Sequence, residues 1–151
     1  VRYLVGVGNY FGGDDAVGPL VVEYIVVNGL DHGFEAVDLS TDALSLVAYL
    51  GEETDAILVV DAAHIGVAPG DFLIFSPDQV RTQKDLSGFT THEGDVLKVL
   101  GMAREAGYVI PPIAIMGIQP CDMTSGAGLS DRLAQRVPEY AAVAIQHLAE
   151  L

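Results

Sequence analysis

The sequence predicts an α/β fold: a three-layer sandwich with helices on both faces of a twisted, mostly parallel five-stranded sheet. Three observations predict it. Short apolar runs alternate along the chain with segments whose apolar residues recur at helical spacing. The clearest run, AILVVDAA (56–63), is β-branched and apolar on both faces, as a central strand covered from both sides should be. One run, GDFLIFSP (70–77), is shorter and bracketed by turn residues, which makes it the candidate for a single antiparallel edge strand.

The elements follow in order. VRYLVGVG (1–8) is a strand that ends in glycines, and AVGPLVVEYIVVNGL (16–30) is an amphipathic helix stopped by Asn28 and Gly29. FEAVDL (34–39) is the second strand, after which Ser40 or Thr41 is placed to cap a helix through ALSLVAYL (43–50). The third strand ends at Asp61, and VAPGD (67–71) is a turn built on Pro69 and Gly70 that leads into the short fourth strand. A long polar segment (78–91) precedes a helix over 92–107, whose Val96, Leu97, Leu100 and Ala103 share a face. PIAIMGIQP (112–120) is a buried strand, and 129–151 reads as a last helix bent at Pro138. With no repeat, low-complexity tract or linker, residues 1–151 read as one domain.

Composition excludes several functions. Seven basic against twenty-one acidic residues give a net charge of -14, which repels nucleic acid and anionic membrane surfaces and leaves neutral, basic or metallic partners. No apolar stretch approaches the roughly 20 residues of a membrane span, and no signal-type segment is seen, so the expected location is the cytoplasm. Cys121 is the only cysteine, which excludes an internal disulfide, a thiolate zinc cage and a Cys-x-x-Cys redox pair.

Ligands of parallel α/β sheets collect at the carboxyl ends of the strands. The first such end carries GVGNYFGGDDAVGP (6–19), part of a dinucleotide fingerprint. Gly6 and Gly8 fit it, but Phe11 stands where the third glycine belongs, and Asp14 and Asp15 would face a bound pyrophosphate. A plain structural role has Asp14 capping the helix and Asp15 complementing its dipole. That leaves Gly12 and Gly13 without a purpose other than letting another chain or a ligand approach the backbone.

Asp15, Asp38 and Asp61 fall at the ends of the first three strands, where parallel pairing makes them converge. Clustered carboxylates repel unless a proton or cation sits among them. His92, after the long segment, adds an imidazole, and such a donor set suits nickel, zinc or manganese. His64 is a solvated loop residue or a supporting contact to substrate. Cys121 is more readily a small buried hydrophobe than a nucleophile, and His32 and His147 read as surface residues.

Four collinear stretches, GVGNYFGGDDAVGP, VVDAAHIGVAPGD, TTHEGDVLKVL and IMGIQP, resemble the maturation endopeptidases of nickel–iron hydrogenases along nearly the whole chain. The resemblance implies a twisted sheet between helices. It also implies a nickel-dependent, aspartate-type peptidase that removes a C-terminal extension from the hydrogenase large-subunit precursor after nickel insertion. In that family the residues matching Asp15, Asp61 and His92 contact nickel, which the precursor supplies, and no organic cofactor is expected. Asp38 matches an acid in the surroundings of the site. Ala16 stands where glycine is common, and DLSTDAL (38–44) departs from a glycine-rich pattern near where precursor docks. GIQP resembles the branch that acts on hydrogen-evolving or multisubunit hydrogenases. The rival readings are a nickel-state sensor or chaperone that binds precursor without cutting it, and a nucleotide-binding domain.

Overall fold

The computed structural model describes residues 1–79, 91–126 and 128–151, with the backbone alone for 91–94. Five strands form one sheet: β1 (Arg2–Val7), β2 (Glu35–Ser40), β3 (Ala56–Ala62), β4 (Phe72–Phe75) and β5 (Ile113–Ile118). Their spatial order is β2-β1-β3-β5-β4, with every neighbouring pair parallel except β4 and β5. The short run expected at an antiparallel edge is there. The helices are α1 (Val17–Val27), α2 (Thr91–Glu105), α3 (Asp131–Ala134) and α4 (Val137–Glu150), joined by 3-10 turns at Gly13–Ala16, Ala43–Tyr49 and Pro77–Gln79.

Strand alternation sorts the core into two layers. Leu4, Leu58, Val60 and Met116 pack on α1 and α4 through Val21, Ile25, Tyr140 and Ala144. Val5, Val7, Ile57, Val59 and Ile115 pack on the opposite side against Leu46, Val96 and Leu100. β3 is buried at every position, which is why its sequence is apolar without alternation. Among the described residues, no helix is long and apolar enough to cross a membrane.

Helix ends show where local rules held. α1 stops as Asn28 and Gly29 require: Gly29 takes φ +63°, its N–H donates to Val26 O at 3.1 Å, and Leu30 N–H donates to Ile25 O at 2.9 Å. That is the paired 6→1 and 5→2 closure that a left-handed glycine permits. Two expectations are corrected. The helix after β2 is a 3-10 helix over Ala43–Tyr49, and neither Ser40 nor Thr41 caps it, its N-cap being Asp42. The last helix is not bent at Pro138 but divided before it, with Pro138 in the first turn of α4. A proline there forgoes no intrahelical bond, whereas its ring opposes continuation from Ala134, four residues back.

Tyr140 ties α4 to the turn before β4. Its hydroxyl donates to Gly70 O at 2.5 Å, and the Arg136 guanidinium lies 5.5 Å from its ring centroid while paired with Asp71 at 2.6 Å and Glu139 at 2.8 Å. Burial pushes the Tyr140 phenol up to about 12, against the pull of the Arg136 cation. A phenol raised in the folded state holds its proton where the unfolded chain releases it. Its contribution is therefore complete below about pH 10 and is lost as pH rises towards about 12. Denaturant titrations across that window should show stability falling in the wild type and falling less in Tyr140→Phe; parallel slopes would exclude Tyr140 as the source.

Candidate functional site

Glycines bring the first strand, its loop and α1 together. A Cβ at Gly18 would lie 2.3 Å from Val60 O and 2.4 Å from Val7 O, so α1 crosses the ends of β1 and β3 at backbone contact. Gly18 thus does the helix–strand packing that a dinucleotide motif assigns to its third glycine, the place held here by Phe11. A Cβ at Gly8, where φ is +148°, would meet Asp15 O at 2.0 Å. The loop folds back on its own strand, which sets Asp15 over the sheet edge.

Asp15 and Asp61 occupy that edge. Asp61, in the last turn of the pleat of β3, is fully buried, and Asp15 is 6% exposed. The 3-10 turn that carries Asp15 packs against β3, and its Oδ2 accepts the Asn9 N–H at 3.2 Å. Burying a carboxylate costs several kcal/mol. Buried acids at the ligand-binding edge of an α/β sheet are suited to a cation or to moving a proton.

Asp14 has a different task from the one expected. It does not cap α1, whose N-cap is Ala16 without a side-chain bond. Its carboxylate is fully buried and accepts the N–H groups of Cys121 and Asp122 at 2.8 Å each, the Ser130 N–H at 2.7 Å and the Ser130 hydroxyl at 2.9 Å. Asp14 N–H donates in turn to Asp122 O at 2.8 Å. The room at Gly13 is likewise used by the chain itself: a Cβ there would meet Asp122 O at 2.8 Å and Thr124 O at 2.9 Å. The glycine loop receives Asp122 and Thr124, and Asp14 fastens Cys121, Asp122 and Ser130.

The other sequence candidates scatter. Asp38 lies opposite Gly6 on the edge strand β2, exposed, its Oδ1 accepting the Ser40 N–H at 2.7 Å and hydroxyl at 3.1 Å. Among the described residues no group of three or more His, Cys, Asp and Glu could hold a metal ion. The expected convergence of three acids is therefore corrected: Asp15, Asp38 and Asp61 form no such group, and Asp38 is turned into a local bend with Ser40. His92 lies in the first turn of α2, with its side chain outside the described residues, as is most of the polar segment before it. Cys121 is exposed rather than buried, His32 is exposed, and His147 is half-buried. His64 is exposed on the segment that leaves β3.

Sequence reasoning missed Gly18, Ser130 and Gln119. Gln119 carried a signal, since a polar residue closing a buried strand must satisfy itself at the strand end.

Known proteins align with this architecture. A family model described as hydrogenase maturation protease matches residues 19–147. The chain is 25% identical over 149 residues to the hydrogenase expression/formation protein HupM of Azotobacter chroococcum mcd 1, covering 97% of this chain and 71% of that protein. It is 28% identical over 117 residues to the hydrogenase 3 maturation protease of Escherichia coli K12, covering 78% of this chain and 71% of that one. Its fold is similar to the hydrogenase maturating endopeptidase HybD from E. coli, with a TM-score of 0.79 at 20% identity over 99% of this chain and 92% of that one. It is also similar to the nickel–iron hydrogenase maturation protease HycI from Thermococcus kodakarensis KOD1, with a TM-score of 0.73 at 23% identity over 99% and 92% of the two chains.

Proposed function

The chain belongs to the hydrogenase maturation protease family, and from that premise we propose that it removes a C-terminal extension from a nickel–iron hydrogenase large-subunit precursor once nickel has entered that precursor. The observation that carries the reading is the pair of buried carboxylates, Asp15 and Asp61, at the carboxyl ends of the adjacent parallel strands β1 and β3. Oxygen donors of this kind, with the imidazole of His92, form a set suited to a divalent first-row metal.

In this reading the nickel is part of the substrate. Asp15, Asp61 and His92 complete its coordination when the precursor docks. A precursor without nickel offers these residues nothing to coordinate, so it is held less tightly than loaded precursor. Discrimination then follows from differential affinity alone. Hydrolysis adds water across the scissile peptide bond: a carboxylate at this edge would accept the water's proton and pass it to the leaving amine, and substrate nickel held there would supply polarisation of the carbonyl or of the water. The net charge of -14 accords with a protein substrate rather than a nucleic acid.

The test is intact-mass spectrometry of a large-subunit precursor incubated with this protein before and after nickel loading. Loss of one C-terminal peptide from the loaded sample alone is the expected result. Equal cutting of both samples would remove nickel from the reading. Complex formation with unchanged mass in both would replace the peptidase with a non-cleaving sensor.

A further inference from the structure

Gln119, the residue after β5, is tied through its backbone and its side chain. Its N–H donates to Asp71 O and its carbonyl accepts from Gly70 N–H, both at 2.8 Å. The side-chain Oε1 accepts the N–H groups of Ile65 at 2.8 Å and Gly66 at 3.2 Å. Only the oxygen of an amide can accept those two N–H groups, so the nitrogen end is the one that meets His64 Nδ1, at 3.4 Å. An amide N–H donates, so Nδ1 accepts, and the neutral imidazole carries its proton on Nε2.

The result is an exposed imidazole held in one tautomer three residues beyond Asp61. His64 is exposed, so core packing does not account for its placement. Ordering an exposed side chain costs up to roughly 1 kcal/mol of rotamer freedom, which a docked partner can offset. The chemistry of the edge indicates which partner group. Asp15, Asp38 and Asp61 are acids, which as carboxylates accept hydrogen bonds only, whereas an extended peptide laid across the edge presents carbonyl oxygens that need donors.

We propose that the Nε2–H of His64 donates to a backbone carbonyl of the docked precursor and so determines how tightly that chain is held, with Gln119 as the positioning residue that aims it. The proposal rests on the processing reading above. With nickel-loaded precursor, His64→Ala should raise KM about fivefold to tenfold with kcat within about twofold, the loss of one hydrogen bond. His64→Gln, which keeps a donor near Nε2, should recover most of it. Gln119→Ala should raise KM less, and the double variant should be no worse than His64→Ala, because Gln119 acts through His64.

Wild-type KM in His64→Ala, a loss confined to kcat, or additive penalties in the double variant would overturn the proposal. The Kd of each protein for nickel-loaded precursor, read by biolayer interferometry with intact-mass analysis of the recovered precursor, separates it from its premise. Wild type that binds loaded precursor but never cuts it ends the processing reading, while the same fivefold to tenfold Kd ratio still supports the contact and a ratio of one removes it. Wild type that binds no loaded precursor overturns both.

Discussion

Asp61→Asn should fold like the wild type and fail to process nickel-loaded precursor, its rate falling at least about a thousandfold. The substitution keeps the shape of a side chain that is fully buried in β3, between strands that pair on both sides. What it removes is charge. An amide oxygen is a weaker ligand for a divalent metal than a carboxylate, and it accepts no proton at neutral pH. Folding should not suffer in proportion, because Asn carries no charge to desolvate. Active sites commonly hold such a conflict between stability and function. Intact-mass time courses and thermal melts on the same preparation measure the two effects separately. Cleavage at the wild-type rate would take Asp61 out of the site, and a melting temperature lower by more than about 10 °C would make it a structural residue instead.

Asp61 was accessible to sequence reasoning because it closes the most regular element of the chain. A strand as uniformly apolar as Ala56–Ala62 can only be central, and an acid at its end must then sit on the ligand-binding edge. The five strands and the antiparallel edge followed from the same patterning. What local pattern could not supply was direction within the edge. Asp38 obeys the same rule as Asp61, but β2 is an outer strand with a bulge against β1 between Gly6 and Val7, and Asp38 bonds Ser40 instead of facing inward. Pro138 misled in a similar way, since a proline that bends a helix and one that starts a new helix look alike until the residue four positions back is seen to end α3. Asp14 and Asp15 were indistinguishable, two adjacent acids in one glycine loop. The partners that separate them lie at Cys121, Asp122 and Ser130, more than a hundred residues away.

That long reach makes Asp14 the residue whose loss should cost the fold most. Its carboxylate is the common acceptor for three backbone N–H groups and one hydroxyl. Removing it leaves donors in a part-buried site, each left unmet at roughly 1–3 kcal/mol. Asp14→Ala should therefore destabilise by about 3–6 kcal/mol, a large share of the roughly 5–15 kcal/mol available to a domain. Asp14→Asn, which retains one acceptor but sets an NH2 against some of the same donors, should lose about 2–3 kcal/mol and remain folded enough to study. In that variant, hydrogen exchange at the amides of Cys121, Asp122 and Ser130 should accelerate, while amides of β3 and β5 follow only the global loss of stability. Asp15→Asn is the control: it stands one residue away, makes none of these bonds, and should leave the exchange of Cys121, Asp122 and Ser130 unchanged. Denaturation curves for Asp14→Asn within about 1 kcal/mol of wild type, or equal exchange in the two variants, would show that the loop is held by the close backbone approach at Gly13 rather than by the Asp14 carboxylate. The expected outcome divides the two acids of the loop between architecture and chemistry, with Asp14 holding Cys121, Asp122 and Ser130 in place while Asp15 serves the proposed reaction.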